Sequence, residues 1–379
     1  VVGHVPAGTA ALVAAADRFG LDLLTSPATP QRGNLVLSPA SVATALQMVS
    51  AGAGGRTATE LAEVLRMKNP ATEALLKATD PKDDTLEIAN TVWAQQGLPI
   101  EPTFTNTLDS RFGAPLHTAD FTRDPETARR TVNTAVADQT KGLIPNLFPE
   151  GSLDDTTQLV LTDAVYLAAS WATAFPADHT TPGPFTNEDG STVQVPMMHS
   201  DPDRDPELPP AYGYATGPGY QLATLPYAGG RLAFTIVLPT AGQPLVDVVR
   251  TVRATGLPTV LAAVRPAQLE LAMPRFTVTS DLELTATLAS LGMPSAFGDT
   301  ADFSGITKAE SLSIQTVRHD AVIRVDERGT TAAAATGVGM RATSGAVTRT
   351  ITVDHPFLFA ITDSATGTPL FLGRVTDPR

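Results

Sequence analysis

Cysteine is absent from the 379-residue chain, which removes disulfide frameworks, thiolate metal sites and cysteine nucleophiles. The absence fits a reducing compartment, and equally a secreted bacterial protein that does without disulfides; of the two, an extracellular location is preferred. Basic residues are in deficit, 26 Lys and Arg against 39 Asp and Glu, for a net charge of −13. With no run of five basic residues, so acidic a chain is a poor partner for nucleic acid, heparin-like polyanions or anionic membrane. No apolar run nears the ~18 residues of a membrane-crossing helix. The Asn-x-Ser/Thr sequon is missing too, so N-glycosylation is not expected.

Catalytic signatures are equally scarce. The six histidines, His4, His117, His179, His199, His319 and His355, include no pair four residues apart and no H-E-x-x-H. That argues against a zinc hydrolase. No G-x-S-x-G, Walker loop or G-x-G-x-x-G occurs, so esterase, NTPase and dinucleotide chemistry lack support. The GAGG at 52–55 reads as a turn between helices rather than a phosphate cradle. Chain order alone does not rule out a Ser/His/Asp triad, so a small-molecule hydrolase stays open as an alternative. No metal or other cofactor is expected.

What is present is a chain with 42% apolar residues, enough for one large domain over 1–379. The first third reads as helices. Leu12, Val13, Ala16, Phe19 and Leu23 recur at helical spacing. A short strand at Leu35–Leu37 leads to Ser38 as N-cap, with Pro39 at the first helical position, where its missing N–H is harmless. Thr57 with Glu60 reads as a capping box, and Asp124-Pro125 opens a helix that Gly142 ends. From about residue 159 strands take over, at 159–171, 231–239, 269–280 and 311–329. Ser280 and Glu283 read as a second capping box. Helices early and strands late, without regular alternation, predict an α+β fold. The 31 prolines and the lack of cysteine lean toward a heat-tolerant protein.

Two polar residues interrupt apolar strand faces. Asp163 alternates with Leu159, Leu161, Val165 and Leu167, and His319 with Val317, Ala321 and Ile323. A buried carboxylate needs a partner, so the two are expected to pair with each other, helped by the hydroxyl of Ser38 or Ser41.

The stretch Glu327–Ser344, ERGTTAAAATGVGMRATS, has almost no large side chain to hold it down. On composition alone it is a linker or a strand in waiting. Period two separates Thr330, Ala332, Ala334, Thr336, Val338, Met340 and Ala342, all uncharged, from a face on which Arg341 falls. Such a segment can enter a sheet with its uncharged face inward.

These residues resemble the serpin family across nearly the whole chain. The resemblance rests on NLVLSPASVATAL at 34–46, LVLTDAVYLAASWATAF at 159–175, VPMMHS at 195–200 and MPRFTVTSDLEL at 273–284. It continues through LGMPSAFGDTADFSGIT at 291–307, VDERGTTAAAAT at 325–336, DHPFLF, and PLFLGRV near the C-terminus. It implies three β-sheets, about nine helices and an exposed reactive-centre loop at about 327–350. It also implies a suicide-substrate inhibitor of serine proteases, not an enzyme. A protease serine attacks the loop, and the freed loop inserts into the main sheet with the acyl-enzyme attached. Thirteen inserted residues at ~3.3 Å each would carry the ester roughly 40 Å. About a dozen new hydrogen bonds at roughly 1 kcal/mol net give a driving force of order 10 kcal/mol.

Residue by residue, the resemblance assigns the hinge to Glu327, Gly329, Thr330, Ala332, Ala333, Ala334 and Ala335. The family's usual interval puts the reactive bond at Thr343–Ser344, which suits elastase-like or subtilisin-like proteases. Shifted registers would present Met340 to chymotrypsin-like enzymes or Arg341 to trypsin-like ones. Ser38, Ser41 and His319 match the shutter below the sheet, and Trp171 matches the breach where insertion starts. Asp163 departs from the family's usual Asn, which would make the shutter partly ionic if both it and His319 were charged. The heparin site does not carry over, a monomer is expected, and the composition suits a bacterial member from a hot source. The alternative within the family is a non-inhibitory binding or carrier protein.

Overall fold

The computed structural model describes residues 7–66, 84–200, 211–330 and 349–379. Eight α-helices occur among the described residues: α1 (Ala7–Thr25), α2 (Pro39–Ser50), α3 (Gly55–Leu65), α4 (Pro102–Thr107), α5 (Pro125–Gln139), α6 (Leu245–Thr255), α7 (Leu257–Ala262) and α8 (Thr285–Leu291). Among the same residues seventeen strands form three sheets, a mixed α+β architecture as the sequence pattern predicts.

The largest sheet has seven strands: β1 (Leu35–Leu37), β17 (Pro369–Val375), β16 (Phe357–Asp363), β9 (Leu232–Pro239), β8 (Tyr220–Pro226), β7 (Tyr212–Gly217) and β10 (Arg265–Ala267), in that order. A four-stranded sheet orders β15 (Arg349–Thr352), β11 (Leu269–Pro274), β6 (Thr192–His199) and β5 (Thr181–Thr186). The six-stranded sheet positions the site. Its order is β12 (Phe276–Glu283), β13 (Thr316–Asp326), β14 (Gly329–Thr330), β4 (Leu159–Ser170), β2 (Asp84–Gln95) and β3 (His117–Ala119).

Both faces of the six-stranded sheet are covered, so β4 is buried at nearly every residue. Its inner face meets the seven-stranded sheet through Val165, Leu167, Phe276, Ile323 and Val325 against Phe234, Ile236, Phe357 and Phe359. On the outer face Val132 and Val136 of α5 close over Trp93, Val160 and Ala164. Leu46 and Val49 of α2 belong to the remaining core, with Phe19 and Leu23 of α1.

Several local readings hold and others are corrected. Ser38 Oγ accepts the Ser41 N–H at 3.3 Å with Pro39 in the first turn, and Asp124 Oδ1 accepts from Thr127 N at 3.0 Å. Neither predicted capping box forms. Thr57 lies inside α3, where its hydroxyl accepts from Asp302 N, and Glu60 accepts from Ser295 N and Oγ. Ser280 lies in β12 and accepts from Val36 N, while Leu284 is the N-cap residue of α8. The stretch 269–280 divides between β11 and β12, and 311–329 yields β13 followed by the first residue of β14. The long strand β2 runs through a third of the chain that reads as helical.

Candidate functional site

The centre of the six-stranded sheet is a slot with a strand already begun at its upper end. Over Thr316–Val322 and Val160–Tyr166, β13 and β4 pair directly and in parallel. Higher up they part, and β14 lies between them, antiparallel to both. Thr330 stands opposite Val325 and Ala169, and Gly329 opposite Asp326 and Ser170. A Cβ at Gly329 would overlap the Ala169 carbonyl oxygen, and its φ is +156°. Only glycine suits such a position. Thr330, assigned by the resemblance to the hinge, is already fully buried. At the lower end Gln315 Oε1 accepts the N–H groups of Gln158 and Leu159 at 3.2 Å each. With β13 bonded to β4 and β15 held in its own sheet beside β11, this is the uninserted arrangement.

An aromatic and ionic cluster braces the upper end. The Trp171 indole donates to the Asp326 carbonyl at 2.9 Å, and its backbone N–H donates to the Arg328 carbonyl at 2.8 Å. Its ring stacks on Tyr227 at 4.7 Å and meets Phe234 edge-on at 5.7 Å. Glu327 pairs with Arg275 and accepts the Thr180 hydroxyl at 2.6 Å. Burial pushes the Glu327 carboxyl up, but the hydrogen bonds from Arg275 and Thr180 outweigh it and leave the group below the ordinary value. The chain is therefore anchored through Asp326, Glu327 and Arg328, just before Gly329.

Lower in the slot the structure brings Ser38, Ser41, Asp163 and His319 together. His319 Nδ1 lies 3.0 Å from Asp163 Oδ1, and both side chains are fully buried. The Ser38 backbone N–H donates to His319 Nε2 at 3.0 Å. An Nε2 that accepts carries no proton, so the imidazole is neutral and Nδ1–H donates to the carboxylate. The pair is therefore the charge-assisted contact expected from the two strands, and the condition for a doubly ionic one is not met. Ser41, not the Ser38 hydroxyl, supplies the second bond, with its Oγ 2.6 Å from Asp163 Oδ1 and 2.8 Å from Asn90 Oδ1. Both Ser41 and His319 direct their protons at one carboxylate oxygen. This is not a relay in which histidine activates serine.

On the opposite face of β13, Asp320 stands across from Asp281 of β12 and is buried. Burial and the neighbouring Asp281 push its carboxyl up to about 8, against a smaller opposing pull from Arg318.

Sequence reasoning missed Tyr227, Arg275, Thr180, Asn90 and Gln315. Asn90 had the same signal as Asp163 and His319: in β2 it shares parity with Leu86, Ile88, Val92 and Ala94. Ala332, Ala333, Ala334, Ala335, Met340, Arg341, Thr343 and Ser344 lie outside the described residues.

Residues 14–378 match the family model described as Serpin (serine protease inhibitor). The chain is 32% identical to the leukocyte elastase inhibitor of Bos taurus, covering 97% of this chain and 99% of that protein. It is 33% identical to an uncharacterized serpin-like protein of Thermococcus kodakarensis, over 97% of this chain and 86% of the relative. The crystal structure of Serpin48 from the insect Tenebrio molitor superposes with a TM-score of 0.86 at 28% identity, covering all of both chains. With the slot, its begun strand and the match of all but the chain ends, the protein belongs to the serpin family.

Proposed function

We propose that this serpin is a suicide-substrate inhibitor of serine proteases, acting as a monomer and as one unit over 1–379. The observation that carries the reading is the register of β14 between β13 and β4. Each step beyond Thr330 moves one residue down both neighbours. Residue 336 would then meet Asp163 and His319, and residue 339 would meet Val160 and Thr316. The uncharged face of the loop would follow Thr330 inward, and Ala332 to Ala335 are small enough to pass.

Insertion exchanges one parallel ladder for two antiparallel ones, which are somewhat more stable per residue. It must first break the Asp163–His319 bond and the Gln315 contacts, so the uncut state is held by a barrier. The native fold stores the difference until a protease cuts the loop. Residues Ser38, Ser41, Asp163 and His319 serve as the shutter, and Trp171 as the breach.

The reactive bond is Thr343–Ser344, and elastase-like or subtilisin-like proteases are the preferred targets. The name of the bovine relative, leukocyte elastase inhibitor, agrees with this choice. A hot bacterial source remains part of the proposal, favoured by the proline content. Incubation with elastase and with subtilisin, read by denaturing gel and mass spectrometry, tests the reading. The expected result is an SDS-stable covalent complex, with the released C-terminal peptide beginning at Ser344. Cleavage with no complex would favour a non-inhibitory binding protein, and a dominant cut after Arg341 would move the reactive bond.

A further inference from the structure

The Tyr227 hydroxyl lies 2.6 Å from that of Thr330, and both side chains are fully buried. Tyr227 reaches this point from the turn between β8 and β9, in the opposing sheet. That turn fixes its backbone: Tyr227 N–H donates to the Leu232 carbonyl at 3.0 Å, and its own carbonyl accepts from Gly230 N at 2.9 Å. Its ring is clamped face to face on Trp171. The ring and the hydroxyl therefore do separate things. The ring belongs to the packing between sheets, whereas the hydroxyl touches the hinge.

We infer that Tyr227 is a positioning residue for loop insertion: its hydroxyl holds Thr330 in register at the head of the slot before the loop is cut. The inference deepens the insertion reading and rests on it. A strand of two residues has few ladder bonds to offset the entropy of fixing its backbone. A buried side-chain hydrogen bond adds an anchor at the one residue that defines the register. Without it the hinge spends more time out of the slot and must find the register again after cleavage. Thr330 keeps the same neighbours in the inserted sheet, so the contact is common to start and end. Its loss therefore slows insertion without altering the strand order of the inserted product.

The test cuts the loop with a metalloprotease, which forms no acyl-enzyme, and follows the rate at which the cut protein becomes heat-resistant. Tyr227→Phe keeps the stacked ring and removes the hydroxyl. It is expected to slow this rate by roughly fivefold, the equivalent of one typical net hydrogen bond, while the cut protein still becomes heat-resistant. Thr330→Val should slow it similarly, the double variant no further, and Thr330→Ser should recover the rate relative to Thr330→Val. These Thr330 variants also serve if Tyr227→Phe does not fold. A wild-type rate in Tyr227→Phe or in Thr330→Val overturns the inference and leaves the insertion reading intact. A wild-type protein that never becomes heat-resistant after the cut removes the insertion reading itself.

Discussion

Asp320 is a carboxyl that the fold keeps protonated near neutrality. Its folded value of about 8 lies above the ordinary 3.8 because burial and Asp281 both disfavour its charge. Below 3.8 the group is neutral in folded and unfolded chains alike and contributes nothing to pH dependence. Between 3.8 and about 8 the unfolded chain ionises and the folded one does not, so stability falls by roughly 1.4 kcal/mol per pH unit. Replacing the group by Asn removes that loss. The melting temperature of Asp320→Asn is expected to match wild type near pH 4 and to exceed it increasingly up to about pH 8, with the gap constant above. A gap independent of pH would show that Asp320 does not titrate in this way.

The cluster of Ser38, Ser41, Asp163 and His319 allows a second test on single residues. His319→Ala leaves the Ser38 N–H without a partner and the Asp163 carboxylate with Ser41 alone inside the core, which costs about 2–4 kcal/mol. Its urea midpoint should fall accordingly. Asp163→Asn keeps an acceptor oxygen for both Ser41 and His319 and should change the midpoint much less. Equal losses in the two variants would mean that the carboxylate charge, rather than the acceptor geometry, holds the cluster. The Asp163–His319 contact was legible because each residue broke the alternation of its own strand. The protonation state was not, because it depends on a backbone N–H of Ser38, which leaves no mark in the sequence.

At the level of elements, the proposed insertion starts from β14. An arginine at position 330 would set a long charged side chain where Thr330 is buried against Tyr227. Burying an unpaired charge is costly, so Thr330→Arg should be cut at the same bond and accumulate as cleaved product rather than complex. Densitometry of complex against cleaved band measures this, and an unchanged ratio would count against insertion starting at Thr330.

Local pattern rules erred where a polar residue serves a distant segment. Glu60 and Ser280 carry the letters of a capping box, but Glu60 accepts from Ser295 and Ser280 accepts from Val36. Strand β2 was missed beside helical neighbours although Leu86, Ile88, Val92 and Ala94 alternate correctly. Tyr227 had no signal at all, because its role arises only where the turn between β8 and β9 meets the hinge.

For the whole molecule, the α+β class followed from the order of helical and strand patterns, and the parity of 330–342 supports the proposed latent strand. The slot itself could not be read, because it is a relation between β4, β13 and β14 that only the folded sheet defines. Its consequence is global: cutting the loop should make the protein more stable, whereas nicking a surface loop usually does the reverse. A gain of order 10 kcal/mol from new strand bonds corresponds to a rise of roughly 12 °C in a protein of this size. The deciding measurement is calorimetry of intact protein against protein cut in the loop at 327–350 with both fragments retained. A rise of that size is the expected result; an unchanged or lower melting temperature would contradict loop insertion.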